Sequence, residues 1–167
     1  VSGSSSGRAR ALRVEVARLV PVEASVAFAW VADPRTHPRW IPLTRLDSAV
    51  AGPVVGATFT MVSGPGARRG ARGLADRMVV EELTRPSTAA GRVGRTRLRK
   101  LGPTLLGDAG FDVVPVDAGR CRVVWWEEAY LAGPLPQRLN AAGVALFLWG
   151  LMHVSLRRLD RQLTRAR

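Results

Sequence analysis

A chain of 167 residues with 47% hydrophobic and 23% charged side chains has the composition of one globular domain, which excludes a disordered segment and a fibrous repeat. Its formal net charge of +12 favours an anionic partner in principle. Arg, however, supplies every basic residue except Lys100, as the codon usage of a GC-rich bacterial genome would dictate, so the Arg count carries little functional weight. A lone cysteine, Cys121, rules out an internal disulfide and fits a reducing, cytoplasmic setting.

The Ser/Gly run at the start lacks the apolar core of a signal peptide, and residues 1–10 are expected to form a flexible tail ahead of a single domain over 11–167. Ala11 to Val20 alternates apolar and polar residues, which predicts a half-buried first strand ended by Pro21. Val26, Ala27, Trp30 and Val31 have helical spacing within Glu23 to Asp33, and Pro34 stops that helix. Thr36 to Trp40 reads as a second short helical turn. Strands follow in a consecutive run: Leu43 to Val50, Gly56 to Ser63, Leu74 to Leu83, Thr88 to Leu101, Asp108 to Val116 and Cys121 to Tyr130. Short turn signals join them, so the sheet should be antiparallel and the class α+β. Leu135 to Thr164 reads as one long helix whose stretch Ala141 to Met152 is apolar on every side, and such a helix is expected to be buried all round. Twelve apolar residues fall short of the roughly 20 that a membrane span needs.

This order of elements, with Val22 to Pro34 at the first helix, Pro38-Arg-Trp40-Ile-Pro42 after it, Val55-Gly56 entering a strand, Glu82 before Pro86, and Gly119-Arg-Cys-Arg-Val-Val-Trp125 in the last hairpin, resembles the SRPBCC or START-like helix-grip superfamily. The resemblance runs from Leu12 to Leu163 and points to its polyketide cyclase/dehydrase-like branch. It implies a Bet v 1-like fold: a curved antiparallel sheet of six or seven strands around a long C-terminal helix, with two short helices after the first strand. It further implies that Cys121, Val123, Trp125 and Glu127 look inward toward an apolar ligand cavity. A carboxylate facing such a cavity is costly unless paired, protonated or used, so Glu127 becomes the central candidate, with His153, Asp76 or an inward Arg as its partner. A one-residue slip in register would put Glu128 in its place.

On the same alternation Leu74, Asp76, Met78 and Val80 share a face, as do Phe111 and Val113. The expected ligand lining is therefore Met78, Phe111, Val113, Val123, Trp125, Glu127, Leu146, Trp149 and His153, with Glu127, His153 and Asp76 as candidates for any catalysis. Gly143 and Gly150, on one helix stripe, are expected to leave room for a ligand or for close packing. His37, between two prolines, is expected at the surface.

Other constellations carry less. His37, His153 and Cys121 lack metal-ligand spacing, so no metal is expected, and nothing calls for a cofactor. Gly64, Gly66, Gly70 and Gly73 precede a strand, whereas a phosphate cradle leads into a helix; they read as a mobile hairpin loop. Arg95, Arg97 and Arg99 project from one strand face without aromatic residues for base stacking, which disfavours nucleic acid and suits a solvated sheet face. Three functions remain: a carrier of a hydrophobic or amphipathic small molecule, an aromatase/cyclase or dehydratase working in the same cavity, and a basic peripheral protein on an anionic membrane or nucleic acid. The oligomeric state has no signature in the sequence.

Overall fold

The computed structural model describes residues 12–48, 52–132 and 137–165, the last with side chains from 142 onward. The tail expected over 1–10 and the helix start expected at Leu135 lie outside the described residues. Strand β1 spans Arg13–Val20, and the helices α1 (Ala24–Ala32) and α2 (His37–Trp40) follow it. Then come β2 (Thr44–Leu46), β3 (Thr58–Ser63), β4 (Leu74–Thr84), β5 (Gly94–Leu101), β6 (Leu105–Asp117), β7 (Arg120–Leu131) and the long helix α3 (Gln137–Arg165). All seven strands form one antiparallel sheet in the order β1-β7-β6-β5-β4-β3-β2. The sheet curls, with α3 packed mainly on β1 and β7: the helix-grip architecture.

Strand β5 shows why the sheet has two unlike faces. Its residues alternate strictly, with Thr96, Leu98 and Lys100 buried and Arg95, Arg97 and Arg99 exposed. On the outer face Arg95 lies 3.8 Å from Asp112, Arg99 pairs with Glu81, and Arg97 covers Trp126 at 5.5 Å. Arg13 covers the same indole at 4.5 Å, and Trp126 is buried although it points outward. Gly110 makes this possible, since a Cβ there would stand 2.7 Å from the Trp126 ring.

The helix departs from the expectation of burial all round. Leu148, Met152, Ser155, Leu156, Leu159 and Leu163 form a buried stripe, while Leu146, Phe147 and Trp149 are 73%, 65% and 52% exposed. The helix therefore grips by one face, and Arg18 of β1 holds Asp160 at 2.6 Å where that face meets the sheet. Within 142–149, α3 instead carries most of its large apolar side chains into solvent. Neither Gly143 nor Gly150 has a neighbour within 4 Å of a built Cβ, so close packing is not their reason.

Strand β3 begins two residues later than expected, and two other strands fall short by more. The segment at Leu43 to Val50 contributes only Thr44–Leu46, with 49–50 outside the described residues, and the segment from Thr88 opens with a turn closed by a Ser87–Arg92 bridge. The loop after β3 holds a short 3-10 turn at Ala67–Arg69 with Ala67 fully buried. Arg68 donates hydrogen bonds to the carbonyl oxygens of Pro38 and Ile41, so this loop is tethered to the end of α2.

Candidate functional site

Between sheet and helix lies a hollow of about 90 Å³. Its walls come from the inner faces of β4 (Asp76, Met78), β5 (Leu98, Lys100), β6 (Leu105, Ala109, Phe111) and β7 (Trp125, Glu127). Helix α3 supplies Phe147, Leu148 and Leu151; His37 and Ile41 come from α2 and its C-terminal end, and Thr44, Met61, Ser63 and Leu74 from the neighbouring strands. A water needs about 10–15 Å³ of such space, so the hollow holds several waters or the apolar end of a small molecule. Leu74 and Phe147 are partly exposed and mark its mouth.

The apolar wall is an aromatic cluster. Trp40 meets Phe111 and Trp125 edge-on at centroid distances of 5.9 and 5.7 Å, and Phe111 lies 5.2 Å from Trp125. His37 joins it, with Trp40, Phe111 and Phe59 at 5.3, 5.8 and 6.5 Å. It is 4% exposed, which corrects the expected surface position. Its Nε2 donates to the Val31 carbonyl at 3.0 Å, and burial pushes its pKa down to about 4, the Val31 hydrogen bond and Asp33 opposing.

Three ionisable side chains from three strands converge on the same hollow. Lys100 Nζ stands 2.5 Å from Asp76 Oδ2 and 3.3 Å from Glu127 Oε2. Lys100 and Glu127 are two strands apart, about 10 Å between backbones. Gly107 and Ala109 sit between them on β6, pairing with Lys100 and Glu127 respectively, and leave the Lys side chain a path across. A Cβ at Gly107 would lie 1.9 Å from the Glu128 carbonyl oxygen, so no larger residue fits. Burial raises the Glu127 pKa above the ordinary glutamate range, with Lys100 pulling it down and Asp76 pushing it up. Lys100 is held above the ordinary lysine range, its two carboxylate neighbours outweighing burial.

Of the residues expected to line a pocket, Met78, Phe111, Trp125, Glu127 and Asp76 do so. Val113 and Val123 are fully buried in the adjoining core, away from the lining. Leu146 and Trp149 point to solvent, and His153 bonds the Trp149 carbonyl oxygen at 2.9 Å while its ring lies tilted at 49° against the indole, 4.2 Å between centroids. Of the partners expected for Glu127, neither His153 nor an Arg is among the described residues that line the hollow; Lys100 stands there instead, with Asp76 on its other side. The sequence carried one signal for that lysine: it falls on the strand face opposite Arg95, Arg97 and Arg99. Glu128 points outward to Arg13 at 3.3 Å. Among the described residues, no group of three or more His, Cys, Asp or Glu side chains is placed to hold a metal ion.

Solved structures share this architecture at low identity. The chain is similar to a START superfamily protein of Mycobacterium smegmatis (13% identity, TM-score 0.62), covering 93% of this chain and 99% of that one. It is similar to a Thermobifida fusca protein (20% identity, TM-score 0.64), covering 92% and 93%. The Zhui aromatase/cyclase of Streptomyces sp. R1128 matches at 13% identity and TM-score 0.63, over 92% and 94%. No curated protein matches the chain in sequence. A family model described as polyketide cyclase / dehydrase and lipid transport matches residues 11–164, nearly the whole length, and the chain belongs to that family.

Proposed function

We propose that this protein binds a small hydrophobic or amphipathic molecule in the hollow between sheet and C-terminal helix. One observation carries the reading: a mostly apolar cavity into which three buried ionisable side chains, Asp76, Lys100 and Glu127, converge. An apolar body with a few placed polar groups is how small-molecule sites obtain both affinity and orientation. Both Zhui and the family description point the same way, since aromatase/cyclases and lipid carriers hold greasy molecules. The test is titration with the neutral fluorophore N-phenyl-1-naphthylamine. Saturable one-site binding is expected, abolished by Ala109→Phe with the circular dichroism unchanged. Absence of saturable binding to the unaltered protein, or indifference to the filled cavity, would overturn the reading.

A second reading draws on Glu127 alone. A carboxyl group with a raised pKa beside a buried ammonium suits proton transfer, as a cyclase or dehydratase acting on a polyketide-like chain requires. Formation of a cyclised or dehydrated product from a poly-β-ketone surrogate, absent in the protein-free control, separates catalysis from carriage.

A further inference from the structure

The polar groups of the hollow are unevenly satisfied. The donors are already engaged: His37 Nε2 with the Val31 carbonyl, Lys100 Nζ with Asp76 Oδ2 and with Met78 Sδ at 4.0 Å, and the Thr44 hydroxyl with the Pro42 carbonyl at 3.1 Å, while the remaining Lys100 N–H and the Trp125 indole N–H face the Glu127 carboxyl group. Ser63 and Thr44 share a hydrogen bond of 2.9 Å, and with Thr44 donating to Pro42 the Ser63 hydroxyl is the donor there. The acceptors are in surplus. Asp76 Oδ1 and Glu127 Oε2 are buried without a hydrogen-bond partner, the latter near Lys100 but outside hydrogen-bond geometry. Two carboxyl groups also face one ammonium, so when all three are ionised the cluster carries one excess negative charge. A proton on Glu127 removes that excess but still leaves Asp76 Oδ1 unserved.

We propose that the cavity selects molecules whose inserted end is a hydrogen-bond donor without negative charge, an alcohol, phenol or amine on an apolar body, received by Asp76 Oδ1 and Glu127 Oε2. This rests on the ligand-binding reading above and adds the chemistry of the recognised end. A buried acceptor left unpaired keeps its full desolvation cost, and a ligand donor removes it, whereas a carboxylate or ether brings one more acceptor to a site that has too many. The basic exterior does not alter this choice, because the inserted group meets the carboxyl oxygens at contact distance and the surface arginines through solvent.

Four matched probes test it by titration calorimetry: 2-naphthalenemethanol, protonated 2-naphthalenemethylamine, 2-(methoxymethyl)naphthalene and 2-naphthoate. Alcohol, amine or both are expected to bind about tenfold tighter than the ether, the scale of one or two net hydrogen bonds, and naphthoate more weakly than the ether. A tighter amine identifies the excess charge as the selector, and a tighter alcohol identifies the neutral donor; each supports the proposal. In Asp76→Asn the preference over the ether should shrink to within about threefold while ether binding persists, which doubles as the folding control. Ether binding as tight as both alcohol and amine, or preference for naphthoate, overturns the proposal and leaves the ligand-binding reading intact. Failure of all four probes overturns both.

Discussion

His37 sits in the aromatic wall, where the Val31 carbonyl and the charge of Asp33 offset only part of the hydration that its imidazolium form loses. The folded protein therefore holds it neutral down to a pKa of about 4, while the unfolded chain titrates it near the ordinary 6.5. Between these values the unfolded state binds more protons, so stability rises with pH across the window and is lost as pH falls through it. The gap corresponds to about 3 kcal/mol for this fully buried group. His37→Gln keeps a donor for the Val31 carbonyl and does not titrate. Denaturant unfolding from pH ~7 to ~4 is expected to show the unaltered protein losing up to about 3 kcal/mol more than the variant. Parallel stability curves would mean that the ring does not titrate from inside the cluster.

At the scale of elements, the strands were legible because alternation survives at single-residue resolution. Strand β5 reads inside and outside without error from Thr96 to Lys100, and the family hairpin pattern phases Trp125 and Glu127 inward on β7. The helix was legible in type and in its C-terminal limit but not in phase, because Ala141 to Met152 contains no polar residue to mark a solvent side. The phase was recoverable from the other half: counting back in fours from Leu156 reaches Met152 and Leu148, the two buried residues of 142–152. The burial of His37 was hidden from local reading, since Trp40 and Val31 supply only part of it and Phe59 and Phe111, far along the chain, supply the rest. Lys100 was visible as the sole lysine, yet its two carboxylate partners lie 24 and 27 positions away in sequence, beyond any local pattern. The one-sided grip of α3 has a measurable consequence. Leu156→Ala, at a 1% exposed site on the gripping face, is expected to cost about 2–5 kcal/mol, whereas Leu146→Ala at a 73% exposed site should stay within about 0.5 kcal/mol. Urea unfolding of the two variants checks it, and comparable losses would place the apolar N-terminal half of α3 against a surface that the sheet does not provide.

Across the whole molecule, charge is segregated by face. The sequence carries a net +12, with arginines arrayed outside on β5, while the hollow gathers two carboxyl groups around one lysine. These two regions predict opposite salt responses, which makes ionic strength a test of where a ligand sits. Contacts between surface arginines and an anionic membrane or nucleic acid depend on screened charge and on counterion release, and decline by orders of magnitude with rising salt. Among the described residues no helix is long and apolar enough to cross a membrane. An uncharged molecule in the hollow is held by apolar burial, which salt leaves unchanged or slightly strengthens. The dissociation constant of N-phenyl-1-naphthylamine is therefore expected to vary by less than about twofold between ~50 and ~500 mM KCl, while retention on phosphatidylglycerol vesicles, if present at the lower value, disappears at the higher. A tenfold loss of probe binding in step with vesicle release would move the ligand from the cavity to the basic exterior.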